Sequence, residues 1–244
     1  MSDHIAENIA VIQGRIENAC KASGRDPGEV KLLLATKTVS AERIKIAFGA
    51  GVTLIAENKV QELKEKFDAL KGSPHTKHFI GHLQTNKIKD LLKCEVACIE
   101  SLDRLDLAEK LQQRLEFEDK TIEALIQVNT SFEESKFGVS PEDAVELVKQ
   151  VSQFDRIKIK GLMTIGLFSD EIERVRKCFR LLKDIRQQIV ALEIPNVEMN
   201  ELSMGMSGDL EAAIEEGATI VRVGTAIFGE RIYSDSYYWN ENKN

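Results

Sequence analysis

The sequence is poor in the residues that cross-link or interrupt a chain. Its 244 residues include four cysteines, four prolines and one tryptophan. Small secreted domains that depend on disulfides are much denser in cysteine, so this count argues against a disulfide framework. Cys94 and Cys98 also lack the CxxC spacing and the histidine partner of a zinc finger. We therefore expect reduced thiols and a cytoplasmic protein.

Two further absences concern membranes and nucleic acids. No uninterrupted apolar run reaches the roughly 20 residues that a membrane-spanning helix needs. The first residues carry acidic side chains where a signal peptide has a basic and then an apolar region. Lys and Arg total 33 against 40 Asp and Glu, so the net charge is −7, and no basic block is present. We therefore expect neither nucleic acid nor a membrane as a partner.

What the chain does contain is a regular alternation of strand-like and helix-like segments. Hydrophobic residues make up 43% of it, enough for a substantial core. An amphipathic leading segment is followed by about eight strand-then-helix units. The predicted strands span 30–36, 52–58, 77–81, 95–101, 121–130, 157–166, 197–205 and 219–224. Predicted helix starts include Ser140 followed by Pro141, and Ser207 as an N-cap.

This alternation predicts an α/β fold, a single (β/α)8 TIM barrel with an extra N-terminal helix. An open doubly wound sheet is the alternative, but it usually has a glycine-rich first turn, and TKTVS after the first strand has none. No Pro/Gly/Ser-rich linker divides the chain. We therefore expect one domain over 1–244, with a leading helix at 1–23 and a polar tail at 234–244.

The carboxyl ends of the predicted strands carry the residues of interest, because that end of a barrel holds the active site. Lys37 follows three leucines and an alanine of the first strand, with no acidic neighbour. The loops after the last two strands, SMGMSGD (203–209) and RVGTAIFG (222–229), are rich in small and hydroxyl residues. Barrels commonly bind phosphate in these two loops.

A lysine opposite a phosphate loop predicts a phosphorylated aldehyde or ketone held as a Schiff base. Burial lowers the pKa of a lysine amine and makes the neutral form available for imine formation. Pyridoxal 5'-phosphate (PLP) meets both requirements. A sugar phosphate in a Schiff-base aldolase also does, and a Lys37 that merely extends to solvent would have neither role.

Seven motifs occur in a fixed order between about residues 30 and 233: ATKT, ENKVQE, HFIGHLQTNK, ESKFG, GLMTIG, LSMGMSGD and VRVGTAIFGER. Together they resemble the pyridoxal phosphate homeostasis protein family, whose barrel is similar to the N-terminal domain of bacterial alanine racemase. The resemblance implies the same barrel, PLP as the cofactor, and a role in vitamin B6 homeostasis.

The resemblance also implies ten cofactor-binding residues. Lys37 would hold PLP covalently as the internal aldimine. The phosphate would be bound by residues of the last two loops: Ser203, Met206 (through its backbone), Ser207, Gly224 and Thr225. The ring would be bordered by side chains from other strand ends: Asn58, His82, Met163 and, at the pyridine nitrogen, Arg222.

Simpler interpretations exist for several of these residues. Ser203 and Ser207 could serve only as turn and cap residues. Arg222 could form an ion pair with a carboxylate of a neighbouring strand. Asn58 and His82 could orient loops.

The chain departs from the family pattern at two places. Ile55 and Ala56 stand where the family usually has Phe-Gly before Glu-Asn, and Lys77 stands where the family usually has an aromatic residue. We expect both departures to affect packing beneath the second and third loops and to leave the cofactor unchanged.

We expect a PLP-binding protein that works without catalytic turnover. Arginine donates and does not accept, so a pyridine nitrogen beside it stays unprotonated and the ring is a weaker electron sink. The similar racemases take a second base from another domain across a dimer, which is not expected here. Only the tail tyrosines Tyr233, Tyr237 and Tyr238 could stand in for it. We expect a monomer whose partners are PLP and, for delivery, PLP-dependent apoenzymes. The alternatives are a PLP-dependent amino-acid racemase-type enzyme and a pure interaction protein.

No metal site is predicted. His75, His78 and His82 are spaced by three and four residues. Along a strand, four residues span roughly 13 Å, too far for one ion unless the chain turns at Gly81.

Overall fold

The computed structural model describes residues 4–229, which form a closed parallel barrel with helices around it. The strands are β1 (Lys31–Ala35), β2 (Leu54–Glu57), β3 (Thr76–Phe79), β4 (Cys98–Leu102), β5 (Ile122–Gln127), β6 (Ile157–Met163), β7 (Val197–Ser203) and β8 (Ile220–Val223). The helices are α1 (Ile5–Ala22), α2 (Ala41–Gly49), α3 (Val60–Leu70), α4 (Ile88–Lys93), α5 (Leu105–Glu118), α6 (Ala144–Val151), α7 (Ile172–Ala191), α8 (Leu210–Glu215) and α9 (Thr225–Phe228). Short 3-10 turns occupy Pro27–Glu29 and Thr85–Lys87.

The barrel is closed by the pairing of the first strand with the last. β1 is parallel to β2 on one side and to β8 on the other, with Leu34 opposite Ile55 and Leu33 opposite Arg222. Alternate strand residues point inward, and an inner apolar cluster fills the barrel with Leu33, Ala56, Ile80, Cys98, Leu125, Met163 and Ile220. The predicted (β/α)8 barrel is therefore confirmed.

The predicted leading helix is also present. α1 buries Ile5, Ile9, Ile12 and Ile16, whose spacing of three and four residues places them on one face. At the edge of this face, Arg15 donates two hydrogen bonds to Glu211 near the start of α8, at 2.6 and 2.8 Å. These contacts place α1 against the last helices of the barrel.

Several predicted boundaries are wrong, each for a local reason. α6 begins at Ala144 and not at Ser140, because the Ser140 hydroxyl accepts from the Asp143 N–H at 3.1 Å and closes a separate turn. β4 begins at Cys98, three residues later than predicted, because Glu95 has a left-handed φ of 55°.

Ser207 is not the N-cap of the helix that follows it. α8 begins at Leu210 with Asp209 as its N-cap, and the Asp209 carboxylate turns back to accept from the Met206 N–H at 2.5 Å. The correction leaves the loop 204–208 outside the helix, closed on itself by Asp209.

Two findings bear on the remaining sequence predictions. Within residues 4–229, none of the helices combines the length and the apolar character needed to cross a bilayer. The predicted tail 234–244 and the tyrosines Tyr233, Tyr237 and Tyr238 lie outside the described residues.

Candidate functional site

The predicted cofactor residues converge on the end of the barrel formed by the carboxyl ends of the strands, here called the C-terminal mouth. The opposite end is the N-terminal mouth. Lys37 lies two residues beyond β1 and is only 6% exposed. Asn58 follows β2 and is also buried. The other predicted residues lie at or just beyond the ends of β3, β6, β7 and β8: His82, Met163, Ser203, Met206, Ser207, Arg222, Gly224 and Thr225.

The residue before Lys37 is held by buried polar groups. The Thr36 hydroxyl donates to Glu57 Oε1 at 2.6 Å. Lys66 of α3 donates from Nζ both to the Thr36 carbonyl oxygen and to Glu57 Oε1, each at 2.8 Å. Thr36 and Glu57 are 0% and 2% exposed. The chain is therefore fixed immediately before Lys37.

The residue after Lys37 is held by the same helix. The Thr38 N–H donates to Glu62 Oε2 at 2.6 Å, and the same oxygen accepts from Lys66 Nζ at 2.8 Å. Thr38 has a φ of 65°, a left-handed conformation that a β-branched residue adopts only under outside constraint. We call Thr36, Glu57, Glu62 and Lys66 the anchoring cluster, because it constrains the backbone on both sides of Lys37.

Burial has a marked effect on one member of the anchoring cluster. It raises the pKa of Glu57 from 4.5 to about 7, even though the positive charge of Lys66 favours the ionised form. Glu57 Oε2 is buried and has no hydrogen-bond partner among the described residues. The carboxyl group therefore titrates close to neutral pH directly beside the loop that carries Lys37.

The Arg222 guanidinium is fixed inside the barrel. Arg222 is 5% exposed, and it donates from Nη1 to Ser203 Oγ and from Nη2 to the Thr164 carbonyl oxygen, both at 2.7 Å. Burial lowers the pKa of Arg222 below its ordinary value of 12.5, while Glu100 and Asp209 act in the opposite direction. Arginine still remains a cation at neutral pH.

Behind Arg222 lies a chain of buried hydrogen bonds. Ser203 Oγ lies 2.6 Å from Glu100 Oε2, and the other oxygen of Glu100 lies 2.6 Å from His78 Nδ1. Burial would by itself raise the pKa of Glu100. The hydrogen bond and charge of His78, with the charge of Arg222, instead hold that pKa below its ordinary value. Glu100 is therefore an ionised carboxylate in the barrel interior.

The structure thus gives Ser203 a definite set of partners. Its hydroxyl is buried and bonded to Glu100 and Arg222. Its predicted contact with the phosphate is untested. An ion pair between Arg222 and a neighbouring carboxylate was the simpler interpretation, but Ser203 stands between Arg222 and Glu100.

The loop after β7 is held in a compact form. Gly205 has a φ of 91°, and a Cβ placed on it would lie 2.4 Å from Ala213 Cβ. Its carbonyl oxygen accepts from the Arg222 N–H at 2.9 Å. Met206 is tied to Asp209, whose pKa burial raises. Ser207 is half-buried and outside α8.

The loop after β8 stands beside it. Gly224 is the buried N-cap residue of α9, and Thr225, the first residue of that helix, is exposed. The two loops expected to hold phosphate are therefore neighbours at the end of adjacent strands.

His82 occupies the opposite side of the C-terminal mouth. Its ring stacks on Phe137, with centroids 3.9 Å apart and planes inclined by 17°. Burial, and next the charge of Arg104, lower the pKa of His82, so the neutral ring is favoured. Phe137 belongs to the ESKFG motif, so two separate motifs meet at this stack. Met163 is buried in the inner apolar cluster below.

The three histidines that sequence spacing raised as metal ligands lie in different surroundings. His75 Nδ1 contacts the Ser73 carbonyl oxygen at 2.7 Å, while His78 contacts Glu100 and His82 stacks on Phe137. Among residues 4–229, no group of three or more His, Cys, Asp or Glu side chains is arranged to hold a metal ion.

Sequence reasoning missed the anchoring cluster and, behind Arg222, the carboxylate of Glu100. Glu57 and Glu62 lie within ENKVQE, where their spacing of five indicates no partnership. One signal could have identified Glu100: it is the only charged residue of a strand whose residues are all buried, and buried carboxylates require partners.

The side chains of the C-terminal mouth fit PLP. The groups available are a lysine amine, a guanidinium, an amide, a neutral imidazole and hydroxyls, which suit a phosphate and an aromatic ring with acceptor atoms. His82 Nδ1 is buried without a hydrogen-bond partner among the described residues. It lies 3.8 Å from Asp103 Oδ2, beyond hydrogen-bond distance.

Comparison with known proteins identifies a family model and relatives that match nearly the whole chain. The family model for the alanine racemase N-terminal domain matches residues 2–232. A pyridoxal phosphate homeostasis protein of Aquifex aeolicus is 44% identical over 227 residues, covering 93% of this chain and 98% of the relative. One from Haemophilus influenzae is 38% identical and covers 96% and 98%.

Solved structures agree with the fold. PipY of Synechococcus elongatus with PLP bound has a TM-score of 0.81 and 30% identity, covering 92% of this chain and all of PipY. A protein from Bifidobacterium adolescentis has a TM-score of 0.86 and 40% identity, covering 92% and 94%. An alanine racemase of Clostridium difficile, with a TM-score of 0.74 and 16% identity over 96% and 58%, shares the fold.

Proposed function

We propose that this chain, which belongs to the pyridoxal phosphate homeostasis protein family, binds PLP as its relative PipY does and is a reversible carrier that holds PLP as a Schiff base on Lys37. One observation carries the proposal. Lys37 is buried at the C-terminal mouth, and the anchoring cluster fixes the backbone on both sides of it. A lysine constrained in this way is suited to hold a ligand at one place.

The chemistry of the linkage needs no additional reactant. When bound, PLP would supply an aldehyde, with which the neutral amine of Lys37 would condense with loss of one water and no change of oxidation state. The chain supplies the position of the amine and excludes bulk water around it. Because the linkage forms and is hydrolysed by the same equilibrium, holding and release are both available to a protein that carries no further catalyst.

Arg222 and the two phosphate loops would hold the rest of the cofactor. Arg222 is a fixed cation, so it would donate to the pyridine nitrogen and leave that nitrogen unprotonated. Met206 and Ser207 on one side, with Gly224 and Thr225 on the other, would bind the phosphate. A ring without a protonated nitrogen is a weak electron sink. This favours storage of the cofactor over turnover of an amino acid.

We further propose that the protein is a cytoplasmic monomer that passes PLP to apoenzymes. The four cysteines, Cys20, Cys94, Cys98 and Cys178, are all free buried thiols, which supports a reducing compartment. Light scattering during size-exclusion chromatography would test the monomer. Subcellular fractionation would test the location.

Transfer to an acceptor tests the carrier function. The loaded protein is mixed with a PLP-dependent apoenzyme, and acceptor activity is followed with and without a scavenger of free PLP. The carrier proposal predicts complete transfer, and a protein that retains its PLP indefinitely would contradict it. Hydrogen–deuterium exchange at the α-carbon of a panel of amino acids tests the racemase-type alternative. The carrier proposal predicts exchange no faster than with free PLP, and faster exchange would favour the enzyme.

A further inference from the structure

The buried chain His78–Glu100–Ser203–Arg222 has one possible direction of hydrogen bonding at its centre. A hydroxyl has a single proton, and the Arg222 guanidinium can only donate. Ser203 must therefore accept from Arg222 at 2.7 Å and donate to Glu100 at 2.6 Å. Glu100 is ionised and can only accept, so the His78 Nδ1 that lies 2.6 Å away must carry a proton.

This series of hydrogen-bonded side chains also balances charge inside the barrel. Arg222 and Glu100 are each at least 95% buried, and an isolated buried charge is costly unless it is compensated. Ser203 transmits the compensation, because it separates the two charges and bonds to both. With Nη2 bonded to Thr164, both terminal nitrogens of the guanidinium have fixed acceptors. The orientation of Arg222 is therefore determined by these two acceptors of the barrel, the Ser203 hydroxyl and the Thr164 carbonyl oxygen.

His78, at the end of the hydrogen-bonded series away from Arg222, lies at the N-terminal mouth of the barrel. His78 lines a cavity of about 830 Å³ at the N-terminal mouth, together with Cys98, Leu125 and Ile220 of the inner apolar cluster. The hydrogen-bonded series therefore crosses the barrel interior from the N-terminal mouth to Arg222. It is separate from the anchoring cluster that holds Lys37.

We propose that Glu100 is a positioning residue for cofactor recognition: through Ser203 it fixes Arg222 toward the pyridine nitrogen, and His78 holds Glu100 in place for this task. The inference rests on the proposed function, because it assumes that Arg222 meets the ring of PLP. Neither Glu100 nor His78 touches the cofactor. Their contribution is the orientation of a group that does.

The test compares PLP with an analogue in which a C–H replaces the ring nitrogen. Dissociation constants for both ligands are measured by fluorescence quenching for the wild type, Glu100→Gln and Ser203→Ala. Wild type is expected to prefer PLP. Each variant is expected to bind PLP about tenfold more weakly, the scale of one charge-assisted hydrogen bond, and the analogue with unchanged affinity. A merely structural role would weaken both ligands equally.

Two further comparisons keep the result interpretable. Cys98→Ala is the matched control. Cys98 is buried on β4, the strand of Glu100, and faces the same interior, but it is not part of the hydrogen-bonded series. His78→Asn retains a donor near the position of Nδ1 and should preserve the preference for PLP, whereas His78→Leu should lose it. If Glu100→Gln does not fold, Ser203→Ala and the two His78 variants decide the question.

Failure of this inference differs from failure of the proposed function. A wild type that does not bind PLP would refute the carrier. A wild type that binds PLP while Ser203→Ala and His78→Leu keep their full preference over the analogue would overturn the role of Glu100 alone. Equal binding of both ligands by the wild type would also overturn it, since Arg222 would then not sense the ring nitrogen.

Discussion

Lys66 Nζ donates a 2.8 Å hydrogen bond to the carbonyl oxygen of Thr36, the residue immediately before Lys37. The same amine bonds to Glu57 and Glu62, so one lysine joins α3 to the backbone on which Lys37 is mounted. Lys37, the lysine proposed to hold PLP, is thus mounted on a backbone that a second lysine fixes through hydrogen bonds.

The first prediction concerns this second lysine. Lys66→Met removes a cation that is 12% exposed and leaves the buried Glu57 without its charged partner. We expect a loss of about 3 kcal/mol in the free energy of unfolding and about tenfold weaker PLP binding, measured by denaturant titration and by absorbance. Lys64→Met on the same helix removes an exposed pair with Asp90 and should cost less than about 1 kcal/mol. Equal effects of the two substitutions would contradict the anchoring role.

The second prediction concerns the pH dependence of stability. Because the native pKa of Glu57 is raised from 4.5 to about 7, the native state binds more protons than the unfolded state between these values. Stability should therefore fall as the pH rises from 4.5 to 7, by up to about 3 kcal/mol from this group. Glu57→Gln should remove this component of the slope, while Glu65→Gln, which changes an exposed residue of α3, should leave it. Unfolding curves at several pH values measure it, and an unchanged slope in Glu57→Gln would count against the raised pKa.

The third prediction concerns the loop after β7. Gly205→Ala forces an alanine into a left-handed φ and places its Cβ 2.4 Å from Ala213 Cβ. We expect a loss of about 2 kcal/mol or more in unfolding free energy, together with weaker PLP binding. Gly208→Ala is the control, because a Cβ there meets no atom within 4 Å. The account of this loop fails if the two variants have the same stability and affinity.

The fourth prediction concerns the stack of His82 on Phe137. Burial is the main reason that the pKa of His82 is lowered. Phe137→Ala exposes the imidazole, so the pKa of His82 should rise, as measured by NMR titration of the ring protons. Phe132→Ala, which removes a ring that is 64% exposed, should leave the pKa unchanged. A His82 pKa that does not respond to Phe137→Ala would show that the burial comes from elsewhere.

The barrel could be predicted from the sequence because the patterns that indicate its strands and helices are local. Each strand shows an apolar run, each helix a spacing of three and four, and eight repetitions leave few alternatives. The same reasoning placed Lys37 at the functional mouth, because the end of a strand can be identified without its neighbours. Helix starts were less accurate where a side chain closed a turn of its own, as at Ser140 and Asp209.

The partners of buried charges could not be predicted in this way. Glu100 and Ser203 are 103 residues apart and meet only because their strands face one interior. For Arg222, the alternatives from sequence were the cofactor or a direct carboxylate, whereas a hydroxyl stands between the two charges. Which side chains meet in the barrel interior depends on the register of several strands, and a local sequence pattern does not determine that register.

The proposed function depends on Lys37 as the residue that carries PLP. The direct measurement is borohydride reduction of the PLP-loaded protein, followed by peptide mapping by mass spectrometry, for the wild type, Lys37→Ala and Lys31→Ala. Lys31 is the matched control, since it lies at the other end of β1 and pairs with Glu201. We predict one reduced phosphopyridoxyl group on Lys37 in the wild type and in Lys31→Ala, and its loss in Lys37→Ala. A label that maps to another lysine in the wild type, or that persists undiminished in Lys37→Ala, would contradict the account.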